Sequence, residues 1–186
     1  MLKQMVFAVI ITVLLFFGSC KKESSVADDP DIYYNKVSRT ITGLPGATSL
    51  DSIDINADGI YELQIRLNNY GGDTGYVTLD NTRQNIEFNI NGGISALYVC
   101  TVFTSGQIPP LSGVTYKQNV LPSVKVSGYR EGVLNGEGYL AFRFTTGSKY
   151  NYGWMRVSVN SSMTEFKILE YAYCNVTDKA IAIGAK

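Results

Sequence analysis

The chain has 186 residues, equal numbers of basic and acidic side chains (16 each), and no histidine. A near-neutral balance argues against a nucleic-acid binder, which carries a basic excess on one face. The absence of histidine excludes His-based catalytic triads, His-ligated zinc and the commonest general base.

The chain opens with Lys3 and then an apolar run, Val6–Phe17, interrupted only by Thr12. As a helix, this run spans roughly 18 Å, well short of the ~30 Å hydrocarbon core of a bilayer. It reads as the hydrophobic region of a signal peptide over residues 1–19, closed by the small residues Gly18 and Ser19 before Cys20. Residues 20–31 (CKKESSVADDPD) are polar and lack large apolar groups, so a flexible tether is expected there. Residues 32–186 are expected to form a single domain.

From Ile32 onward, short alternating runs recur between turn signals such as Gly43-Leu44-Pro45-Gly46, Asn91-Gly92-Gly93 and Thr146-Gly147-Ser148. The expected strands are Ile32–Ile41, Tyr61–Asn68, Tyr76–Leu79, Asn85–Ile90, Ala96–Thr104, Ser123–Ser127, Gly138–Thr145, Tyr152–Asn160, Glu165–Cys174 and Ala180–Ile183. No segment shows sustained helical periodicity. The fold class is all-β, an antiparallel β-sandwich, with jelly-roll-like and Ig-like arrangements left open. In the hairpin Gly138–Asn160, Leu140, Phe142, Phe144, Met155, Val157 and Val159 are expected to line the core.

The segment Asp54-Ile55-Asn56-Ala57-Asp58-Gly59-Ile60-Tyr61-Glu62 has the form D-x-N-x-D-G-x-x-E. Oxygen groups at alternate positions converge on one cation if the backbone curls, and glycine at the sixth position permits the curl. Asp54, Asn56, Asp58 and Glu62 are the side-chain ligand candidates, and Ile60 the backbone-carbonyl candidate. An all-oxygen set of this kind selects calcium over zinc. The alternative is a metal-free Asx-rich turn. An EF-hand would carry glutamate at the twelfth position, where this chain has Ile65. The segment is more similar to the calcium loops set between strands in integrin-type propeller repeats.

On the opposite face of the hairpin, Tyr139, Arg143, Tyr152, Trp154 and Arg156 fall together. Such a set could form a platform for a glycan or protein ligand, because aromatic rings stack on sugars and Arg supplies fixed donors. The alternative is a face packed under a loop, with each Arg stem laid on a ring. Glu170 is expected with Ile168, Ala172 and Cys174 on one apolar strand face. It is either a general acid with raised pKa or, by the stronger expectation, an ion-pair partner of Arg143 or Arg156. Three cysteines is an odd count. With Cys20 set aside, Cys100 and Cys174 remain as either a disulfide or two buried thiols.

Gly18-Ser19-Cys20 followed by Lys21-Lys22-Glu23 resembles the lipobox and early mature sequence of Bacteroidota-type lipoproteins, with Phe17 departing from the usual aliphatic residue. The resemblance implies cleavage before Cys20, lipidation (palmitate included) of that residue, and a lipid anchor in the outer membrane, facing the periplasm or the cell surface. The D-x-N-x-D-G loop, the Tyr152-Gly153-Trp154 hairpin and the late Tyr171-Ala172-Tyr173 strand resemble exported bacterial β-proteins, and that likeness transfers no catalytic residues. No G-x-S-x-G or phosphate-binding pattern occurs. The expected function is a calcium-stabilised binding or structural module of the cell envelope. The alternative is a carboxylate-dependent glycan-processing enzyme.

Overall fold

The computed structural model describes residues 29–71, 74–81, 86–94, 97–111, 116–126, 129–131, 134 and 136–186. Residues 1–28, which include the expected signal peptide, Cys20 and most of the expected tether, lie outside the described residues. Fourteen strands run through the described chain. In order they are β1 (Ile32–Asn35), β2 (Arg39–Thr42), β3 (Ala47–Ile53), β4 (Leu63–Gly71), β5 (Thr74–Asn81), β6 (Ile86–Ile94) and β7 (Leu97–Cys100). They continue with β8 (Val102–Phe103), β9 (Tyr116–Lys117), β10 (Val120–Val126), β11 (Tyr129–Glu131), β12 (Gly136–Thr146), β13 (Lys149–Val159) and β14 (Glu165–Cys174).

The strands form a β-sandwich. The first sheet has β14, β13 and β12 at its centre, with β1 and β2 along the outer edge of β14 and β8 against β12. The second runs β3-β4-β5-β10-β7, with β11 on β10. Strand β6 belongs to both. Its first half pairs Ile86–Phe88 with Phe142–Phe144, and its second half pairs with β7 after a register shift between Ile90 and Gly92. A bulge of this kind bends a strand, here carrying β6 from one sheet into the other. The pairing is antiparallel except between β7 and β10, which run parallel.

The core lies between the sheets. It takes Leu63, Ile65 and Leu67 from β4, Val77 and Leu79 from β5, and all six apolar hairpin residues expected from the sequence, each fully or almost fully buried. Burial of a side chain of this size is worth about 1.5–3 kcal/mol. Met163, in the β13–β14 turn at φ 57°, is 1% exposed and reaches Ser123 of the other sheet, Sδ to Oγ 3.6 Å. The turn of one sheet is thereby fastened to the other.

Several expectations change. The run 32–41 is two strands, separated where Ser38 adopts φ 49°. The run 96–104 is likewise split, into β7 and β8. Strand β3 was not expected, because its alternation is weak: Thr48, Leu50 and Ser52 face outward and only Ile53 is buried. Ala180–Ile183 forms no ladder; Ile181 and Ile183 are buried on the outer face of the first sheet.

Candidate functional site

Two places in the fold hold the residues that the sequence singles out, and a third emerges only from strand pairing. The first is the β3–β4 connection. Ile55 is completely buried, and Leu63 begins β4 in the core, so the intervening loop is pinned at both ends. The curl is made by Ala57 at φ 60° and Gly59 at φ 86°; glycine meets no steric penalty there. Amide groups of the loop turn inward. Asp54 accepts from the Gly59 amide at 2.7 Å and from Asp58 at 3.2 Å, Asn56 Oδ1 accepts from the Asp58 amide at 3.0 Å, and Asp58 accepts from Ile60 at 2.8 Å.

The result gathers Asp54, Asp58 and Glu62, with one carboxylate oxygen from each lying within 4.8 Å of the others. Glu62 is 2% exposed and accepts a 2.8 Å hydrogen bond from the Ile55 amide. Burial pushes its carboxyl above the usual range, the Ile55 amide opposes this, and the charges of Asp54 and Asp58 push it further up. Asn56 belongs to the same turn, its amide nitrogen 3.2 Å from Asp58 Oδ2, and the Ile60 side chain is exposed. Three convergent carboxylates, one of them buried, are a hard-oxygen arrangement able to take a divalent cation. The same loop hydrogen bonds are also those of an Asx turn.

The second place is the outer face of the β12–β13 hairpin. It is covered. The segment 175–186 crosses it, burying Ile181 and Ile183 against Trp154, Tyr152, Tyr116, Ala141, Ala172 and Cys174. Trp154 is fully buried, and its indole N–H donates to the Ala185 carbonyl at 3.2 Å. Tyr139 packs edge-on against Trp154 with ring centroids 5.5 Å apart. Arg143 lies over the rings of Tyr116 and Tyr150 at 4.5 and 4.0 Å and pairs with Glu87 at 2.6 Å. Tyr139, Arg143, Tyr152, Trp154 and Arg156 therefore share one face, but Trp154 and Tyr152 offer a ligand no free ring surface. They form a second, smaller core, for the physical reason that an aromatic sheet face buries its area against any apolar segment that reaches it.

Glu170 belongs to this layer. Register slips between Arg156 and Val157, which face Glu170 and Ile168 in turn, so Leu169 is the extra residue of a bulge. Alternation reverses there. Ile168 points into the main core with Tyr171 and Tyr173, while Ala172 and Cys174 join the outer cluster. This corrects the single face expected for Ile168, Glu170, Ala172 and Cys174. The buried Glu170 carboxylate accepts from Tyr34 at 2.5 Å, Lys186 at 2.9 Å and Arg156 at 3.2 Å. Burial alone would raise its pKa, but these three donors outweigh burial and hold it below the usual carboxylate range. It is an ion-pair hub, the opposite of a general acid kept protonated. Arg156 also pairs with Glu137. The partners Tyr34 and Lys186 carry no signal in the sequence.

The reversal also separates the cysteines. Cys100 lies in the inter-sheet core, Cys174 in the outer cluster, and both are free buried thiols, so the candidate disulfide is not formed. Residues 29–31 already touch the domain: Lys179 pairs with Asp31 at 2.7 Å, and the Asp29 amide donates to the Lys186 carbonyl at 3.1 Å.

Comparison with protein-family models, curated proteins and solved structures gives no match.

The third place is the outer face of β4 and β5. Once Leu63, Ile65 and Leu67 are assigned to the core, alternation turns Gln64 and Arg66 outward. With Tyr76, Thr78, Asp80, Asn81 and Asn119 they line a shallow groove of about 420 Å³. These residues were not singled out from the sequence, because the groove appears only when β4 and β5 pair.

Proposed function

We propose that this chain is a lipid-anchored protein of the cell envelope whose β-sandwich is stabilised by calcium and serves as a binding or structural module. The observation that carries the calcium reading is the meeting of Asp54, Asp58 and Glu62 oxygens within 4.8 Å, on a loop whose alternate oxygen residues suit a hard cation. A buried carboxylate beside two others is costly without a counter-charge, and a divalent ion supplies one. The anchor reading rests on Gly18-Ser19-Cys20 after a short apolar run, in the manner of a lipobox. Lipoprotein processing would attach a diacylglyceryl group to the Cys20 sulfur, two chains being enough for stable anchoring. The module reading over the enzymatic one is supported by Glu170, whose three donors keep it ionised.

Two experiments test the proposal. Metabolic labelling with an alkyne palmitate should mark the wild-type chain in the membrane fraction and leave Cys20→Ser unlabelled and soluble. Equal labelling of both would refute the anchor. Melting with calcium in place of EDTA should raise Tm, and this response should vanish in Asp58→Asn. If the site has a Kd of about 0.1 mM, as extracellular modules do, calcium at 100 times Kd adds about 2.7 kcal/mol. For a chain this size that is a shift of roughly 5–11 °C. An unchanged Tm in calcium would refute the metal.

A further inference from the structure

The outer face of the second sheet carries a groove lined by polar and charged side chains. Its floor is built by cross-strand rows, Gln64 opposite Asp80, Arg66 opposite Thr78, and Asn68 opposite Tyr76. The Arg66 guanidinium lies 3.3 Å from the Asp80 carboxylate, and the Thr78 hydroxyl is also 3.3 Å from it. These contacts are long, and Arg66 remains 44% exposed, so both groups keep hydrogen-bonding capacity toward a ligand. One end is marked by Tyr76, whose hydroxyl meets that of the exposed Tyr70 at 3.1 Å, with ring centroids 5.8 Å apart. The other is marked by Asn119, held at φ 54° with its Oδ1 accepting from the Asn81 amide at 3.1 Å. From Tyr76 to Asp80 along β5 is about 14 Å at ~3.4 Å per residue.

We propose that this groove binds a neutral oligosaccharide. Its volume falls within the range of small-ligand sites, but its lining is polar where such sites are mostly apolar, so the ligand must be polar. Arg66 and Asp80 offset each other, which removes the attraction an anionic or cationic ligand would need. A guanidinium fork beside a carboxylate, with the Gln64 amide and the Thr78 hydroxyl in the next positions, presents alternating donors and acceptors suited to vicinal hydroxyls. The Tyr70–Tyr76 pair offers ring surface for the C–H face of a sugar. The inference rests on the reading of the domain as a binding module and names the class of ligand. It does not depend on the calcium loop.

The test uses the full chain, solubilised in a detergent without a sugar headgroup. Cellohexaose, xylohexaose, mannohexaose and maltohexaose are titrated against it, with trigalacturonate as the charged control, in calcium and in EDTA. At least one neutral hexasaccharide should bind and trigalacturonate should not. Gln64→Ala and Tyr70→Ala, both on the solvent face, should each weaken binding about ten-fold with Tm unchanged. No binding by any of the four, binding that both variants leave intact, or binding of trigalacturonate alone would overturn the proposal. Loss of sugar binding in a protein that still answers to calcium would remove the groove and leave the calcium-stabilised module in place.

Discussion

Trp154 is the only tryptophan in the chain, so it reports on the covered hairpin face without interference. It is completely buried, touches Tyr34 and Tyr139, and donates to the Ala185 carbonyl. Trp154→Ala removes that packing, leaves a cavity beneath the segment 175–186 and strands a carbonyl. Truncation of a buried aromatic of this size costs about 3–5 kcal/mol. At roughly 2–4 °C per kcal/mol for a chain of this length, Tm should fall by about 6–20 °C. Calorimetry of the variant gives the magnitude, and wild-type fluorescence gives the geometry. The indole should emit as a buried group and resist quenching by acrylamide. Free quenching together with a Tm within about 1 °C of wild type would show that the face is open and that no second core forms there.

Other expectations follow from the same contacts. Gly153→Ala should destabilise by about 1–3 kcal/mol, since a Cβ there would sit 2.5 Å from the Phe142 ring and 2.6 Å from the Ala172 carbonyl, which is backbone and has little room to yield. Glu170 has a folded pKa held below its unfolded value, so its stabilising contribution is complete above the unfolded value and is lost as pH falls through the folded one. The stability difference between wild type and Glu170→Gln, measured by urea unfolding, should therefore be constant near neutrality and shrink in acid below about pH 4. A difference that stays flat to pH 3 would contradict the ion-pair hub. Without reductant, alkylation after denaturation should modify both Cys100 and Cys174, and neither should react in the folded protein. A product lacking two modified thiols would restore the disulfide.

Alternation in the sequence was enough to place the central hairpin. Leu140, Phe142 and Phe144 against Met155, Val157 and Val159 are read correctly because each strand has one apolar and one mixed face. Glu165–Cys174 is correct in its limits but not in its faces, since the bulge at Leu169 inverts the side chains that follow and no residue type announces it. Strand β3 escapes notice because its apolar residues do not alternate: Leu50 is exposed on the outer face, only Ile53 is buried, and the strand is recognised by its pairing with β4. The covered aromatic face depends on Ile181, Ile183 and Ala185 folding back across about thirty residues of chain, a contact that local periodicity cannot carry. The acidic loop is the reverse case. Its spacing within nine residues determines which oxygens can meet, so Asp54, Asp58 and Glu62 are legible before any fold is known.

In the proposed function, Asp54, Asp58 and Glu62 hold calcium. Isothermal titration of the EDTA-stripped protein at neutral pH tests it most directly, with Glu62→Gln and Asp54→Asn as controls. One calcium per chain should bind, with a Kd of about 10⁻⁴–10⁻³ M, and either substitution should abolish the heat. No calcium heat in the wild type, or the same heat in both variants, would contradict it.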